Sequence, residues 1–84
     1  MSLRYETLTV DERFAIVEAR LRELEADHYA NSLMRKSIQQ ATDVQDAERE
    51  QMLIAADNKL ETLERAIAVH RQERDGLGAS ESSE

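Results

Sequence analysis

Between Val10 and Asp75 the chain contains neither glycine nor proline, and alanine, glutamate, arginine, leucine and glutamine dominate the stretch. These are strong helix formers, and with no breaker among them the backbone is free to stay helical throughout. The start is marked. Thr9-Val10-Asp11-Glu12 has the form of a capping box, in which Thr9 accepts from the Glu12 amide and Glu12 reaches back to the Thr9 amide. At the far end Gly76 and Gly78 follow the basic turn Arg71–Arg74 and read as a stop signal. The segment 76–84 then reads as a disordered acidic tail, and 1–8 as an N-terminal arm whose Leu3, Tyr5 and Leu8 can pack on the helices.

Apolar periodicity divides the helical stretch in two. Phe14, Val17, Leu21, Leu24, His28 and Asn31 follow alternating steps of three and four, and so do Leu53, Ala56, Leu60, Leu63, Ile67 and His70. Both are coiled-coil seams. A seam continued through the middle would pass Arg35, Ile38, Thr42 and Gln45, where the apolar stripe fails. A second capping box, Thr42-Asp43-Val44-Gln45, sits at the same place. The expected fold is therefore all-α: an antiparallel two-helix hairpin, coiled-coil-like, with helices over 9–41 and 43–75 and a turn near 42. Each arm of ~32 residues would be about 48 Å long. Folding about Thr42 sets residue i opposite 84 − i, so that Leu21 meets Leu63 and Leu24 meets Leu60. The alternative is a long antiparallel helix dimer making the same contacts between chains.

Composition narrows the function. The formal charge is −7, from 18 acids against 11 bases, which disfavours a phosphate backbone as partner. Three aromatic rings, Tyr5, Phe14 and Tyr29, give no stacking platform for bases or flat cofactors. The absence of cysteine closes the disulfide and zinc-finger readings. The longest apolar run, Met52–Ala56, is far too short for a bilayer span, and no secretory signal is visible. A cytoplasmic location, or a place in a larger assembly such as a virion, is the expectation. Nine of the bases are arginine and two lysine, a bias that suits the high-GC coding of some bacteria and their phages.

In that register the two flanks of the hairpin differ. On one side Arg13 would pair with Glu73 and Asp27 with Lys59, along a mostly apolar strip. Ile16, Met34, Met52, Ala55 and Val69, with Arg20 at its edge, form the candidate interface. On the other side Glu18 would face Glu64 and Glu25 would face Asp57, an acidic flank suited to a basic protein surface. Glu25 and His28 also have the Glu-x-x-His spacing of ferritin-like bundles, so Glu25, His28 and Asp57 are weak metal candidates. The plainer expectation for His28 and His70 is packing in the seam. Ser32 and Ser37 lie near His28 in sequence, but a hairpin offers no concave site, and no catalytic residue is assigned.

The sequence therefore predicts a non-enzymatic structural, assembly or interaction module, a bacterial or phage accessory protein. It would self-associate into a four-helix bundle or bind a protein partner, with no cofactor, nucleic acid, membrane or small-molecule substrate. The alternatives are a small acidic adaptor or inhibitor, and a ferritin-like metal-binding bundle.

Overall fold

The structure is a computed structural model and describes residues 7–82, with side-chain surroundings given to 78. Two helices pack against each other: α1, Val10–Gln40, and α2, Asp46–Ser82. The result is a helical hairpin one layer thick, 58 Å along its longest axis. Helix α1 begins as expected. Thr9 Oγ1 accepts from the Glu12 amide at 3.1 Å, and a Glu12 carboxylate oxygen accepts from the Thr9 amide at 2.8 Å. Leu3 and Tyr5 of the expected arm lie outside the described residues, while Leu8 is half-buried.

The turn is longer and later than expected. Residues 41–45 lie between the helices, so the segment Thr42–Gln45 is the connection itself and not the start of α2. One arginine holds it together. From the first turn of α2, the Arg49 guanidinium donates to the carbonyl oxygens of Ala41 and Val44 and, at 2.8 Å, to the Asp46 carboxylate. Helix α1 has no basic residue in its own last turn. Arg49 supplies from the opposite helix the cation that unsatisfied C-terminal carbonyls favour.

The helices also meet in a different register. Cross-helix ion pairs join Glu18 to Arg74, His28 to Glu64 and Arg35 to Asp57, each with residue numbers summing to 92, and Glu25 to Arg71. Burial agrees. In α1 the inward positions are Phe14, Val17, Leu21, Leu24, His28, Asn31, Arg35 and Ile38. In α2 they are Leu53, Ala56, Leu60, Leu63, Ile67, His70, Arg74 and Leu77. Matching the two rows end to end sets residue i level with 91 − i, one heptad away from the expected 84 − i. Slipping by a heptad keeps every seam position in the seam, so periodicity cannot tell the registers apart. The observed one places Phe14 level with Leu77 and Ile38 level with Leu53, and it brings a basic side chain to each of Glu18, Glu25, Asp57 and Glu64.

The slip explains where α2 ends. The chain was expected to leave the helix at Gly76, but α2 continues through both glycines to Ser82, and neither has a positive φ. Leu77 is 8 % exposed and belongs to the core. Without residues 76–82, the first turns of α1 would have nothing beside them. Burial of Leu77 therefore outweighs the propensity cost of two helical glycines, about 0.5–1 kcal/mol each. The remaining core is small: Leu21, Leu24, Leu63 and Ile67, with Ala66 packed against it.

Candidate interaction face

A two-helix layer has two broad faces, and heptad position decides which residues each displays. With the seam residues as a and d, Glu18 and Glu25 of α1 and Asp57, Glu64 and Arg71 of α2 occupy e positions. They share one face, and cross-helix bridges close it. Arg71 donates to Glu25 at 2.8 Å, His28 Nε2 to Glu64 at 2.9 Å, and Arg35 Nε to Asp57 at 2.5 Å, while Arg74 lies 3.5 Å from Glu18. The Asp57 hydrogen bond, and then its charge, hold the Arg35 guanidinium more firmly protonated than a free one. Arg35 and Arg74 are seam residues whose stems lie between the helices while their heads reach the rim.

These contacts correct three expectations. Glu18 does not face Glu64, nor Glu25 Asp57; all four acids of the flank have a basic partner. Of the weak metal candidates, Glu25 bonds to Arg71, His28 to Glu64 and Asp57 to Arg35. No cluster of three or more potential metal ligands occurs among the described residues. His28 does lie in the seam as expected, but level with Leu63 and bonded to Glu64 rather than beside Ala56. His70 is half-buried, its Nδ1 donating to the Ala66 carbonyl at 2.7 Å. Ser32 Oγ donates to the Tyr29 carbonyl, turned back on its own helix rather than toward His28. Glu25, His28, Glu64, Ile67, Ala68 and Arg71 border an open cleft of about 270 Å³ on this face.

The opposite face is built from g and c positions. Ile16, Arg20, Met34, Met52, Ala55 and Val69 are all exposed there. Ile16, Met34 and Val69 are each more than half exposed, a large amount of apolar surface for one side of a thin layer. Its charges also differ from those of the other face. Asp27, Lys59 and Glu73 form no ion pair among the described residues, and Arg20 pairs only within its own helix, with Glu23 at 3.3 Å. The expected Asp27–Lys59 and Arg13–Glu73 pairs are not among the ion pairs of the described residues. Arg13 and Glu73 nonetheless border one hollow of about 340 Å³ with Leu8, Ile16 and Val17. Tyr29, Leu33 and Ile54 are exposed too, at outer positions that a reading of the seam and its flanks passed over, with Tyr29 and Leu33 one turn apart on α1.

No helix among the described residues is long and apolar enough to cross a membrane. No protein-family model, curated protein or solved structure matches the chain.

Proposed function

We propose that this protein is a non-enzymatic assembly module that works by self-association, two hairpins burying their g/c faces against each other to form a four-helix bundle. The observation that carries this reading is the inequality of the two broad faces. Three cross-helix ion pairs and the His28–Glu64 hydrogen bond close one, while the other displays Ile16, Met34, Met52 and Val69 beside Asp27, Lys59 and Glu73, which form no ion pair among the described residues.

Surface area supports the same reading. The chain exposes 6745 Å², whereas a compact monomer of 9.6 kDa is expected to expose about 5,100 Å². The excess of roughly 1,600 Å² is about twice what each partner contributes to a standard-size interface. A core of five buried residues among those described is also small for a chain without disulfides, and self-association is a common remedy. The acidic-adaptor alternative loses its footing, because the flank it relied on keeps little uncompensated charge.

The test is the solution mass by light scattering across a concentration series. The expected mass is that of a dimer. Met52→Glu should return it to a monomer while most helix content remains, and Glu18→Lys on the closed face should leave the dimer intact. Assembly that survives Met52→Glu but is lost with Glu18→Lys would show that the faces have been assigned the wrong way round.

A further inference from the structure

The self-association reading leaves the orientation of the second copy open, and the charges of the face decide it. Two layers stacked on the same face can be related by a two-fold axis in two ways. An axis along the bundle sets α1 over the partner's α2 and brings both loops to one end. An axis across the bundle sets α1 over its own copy and α2 over its own copy, with the loops at opposite ends. Of the g positions, which point straight at the second layer, α1 supplies Arg13, Arg20, Asp27 and Met34, and α2 supplies Met52, Lys59, Ala66 and Glu73.

Their heights follow from the observed register, residue n of α2 standing level with residue 91 − n of α1. Glu73 stands at the height of residue 18, and Lys59 at that of residue 32. An axis along the bundle preserves height, so no sliding is possible and the pairing is fixed. Arg20 then meets a Glu73 about 3 Å away along the axis, and Asp27 lies about 7.5 Å from a Lys59, within reach of a lysine stem. Each pair occurs twice. The exposed apolar residues coincide as well, Ile16 and Val69 near one end and Met34, Ala55 and Met52 near the other, with Ala30, Thr62 and Ala66 between them. With the axis across the bundle and the apolar clusters overlapped, Asp27 lies against its own copy, Arg20 meets Met34, and Glu73 meets Met52. That arrangement leaves Arg20, Lys59 and Glu73 facing apolar groups and sets like charges together.

We infer that the partner on this face is a second copy related by a two-fold axis along the bundle, with both 41–45 loops at the same end. The inference rests on the self-association proposed above. Arg20, Asp27, Lys59 and Glu73 act as the orientation code, giving each interface two Arg20–Glu73 and two Asp27–Lys59 contacts. Asp27, Lys59 and Glu73, which form no ion pair within the described hairpin, are thereby offered partners by the copy.

The chain has no cysteine, so Thr42→Cys on the exposed loop takes a single spin label away from the face. Pulsed dipolar spectroscopy on a sample of known mass then reads the geometry. A dimer with an inter-label distance under about 25 Å is expected. A dimer with a distance near 45 Å would overturn the orientation and leave self-association standing. A monomer with no dipolar coupling would overturn both. Charge exchange gives an independent check. Arg20→Glu should weaken the dimer about tenfold, and adding Glu73→Arg should restore it to within about threefold. Failure of that rescue in a protein that still dimerises would overturn the code.

Discussion

If α2 runs past its glycines because Leu77 is level with Phe14, then Leu77→Ala must destabilise the fold. Leu77 is 8 % exposed, which puts it in the range of buried leucines whose truncation costs about 2–5 kcal/mol. The seam is one layer wide and its sides can relax inward, so the lower limit, about 2 kcal/mol, is the appropriate figure. A chain of 84 residues has a total stability of about 4–12 kcal/mol, so this loss is a large share of it. It lowers the folding constant roughly thirtyfold. In the register centred on Thr42, position 77 would lie beyond α1, and the same substitution would cost less than about 0.5 kcal/mol, as an exposed change does. Urea unfolding followed by far-ultraviolet circular dichroism separates the two, provided protein concentration is held constant so that mass action does not enter. A double-mutant cycle with Phe14→Ala strengthens the test, since residues in contact couple by about 0.5 kcal/mol or more. A loss under about 0.5 kcal/mol together with additive Phe14 and Leu77 effects would refute the heptad slip.

Gly76→Ala and Gly78→Ala should each stabilise the protein by about 0.5–1 kcal/mol in the same urea experiment, because both residues are helical. A Cβ built at either position meets nothing within 4 Å. Destabilisation would mean that one of them closes the helix in a left-handed conformation. Arg49→Ala removes a charged donor from the Ala41 and Val44 carbonyls and should cost about 1–2 kcal/mol. Arg49→Lys should recover only part of that, since an ammonium lacks the forked geometry.

The Thr9 capping box, the two seams and the reversal of the chain are all legible in the sequence, each from a local pattern with a direct physical cause. The register is not legible from periodicity, because a hairpin slipped by one heptad has the same a and d positions. The information is nonetheless present in the flanking charges. Centring the turn on Thr42 sets Glu18 against Glu64 and Glu25 against Asp57, while the slip brings Arg74, Arg71, His28 and Arg35 to those four acids. Scoring the acids against the seam residues His28, Arg35 and Arg74, and not only against one another, would have favoured the slip. Arg35 misled for a related reason. It looks like the point where the apolar stripe ends, yet its stem continues the seam while its head pairs with Asp57. Gly76 and Gly78 misled because a stop signal is a propensity, and the burial of Leu77 between them is something that propensity does not weigh. The candidate face was readable residue by residue, since exposure of Ile16, Met34, Met52 and Val69 follows from heptad position alone. The lack of partners for Asp27, Lys59 and Glu73 was not, because it depends on the register.

The buried cluster Leu21, Leu24, Leu63 and Ile67 lies near the middle of the hairpin and Leu77 at its open end, all of them away from the 41–45 loop. Nearer the loop the seam passes through Asn31 and Arg35. The molecule is therefore fastened like a belt at its waist and not like a zipper from its bend. Folding must bring together leucines more than thirty residues apart in the chain before much apolar area is gained, so the bend is no nucleus. The entropy of closing such a loop grows only with the logarithm of its length, each doubling adding about 0.6 kcal/mol. The bend is thus a place where evolution or an engineer can splice in extra chain at little thermodynamic expense, and whatever is inserted there rides on a scaffold whose fastening lies well away from it.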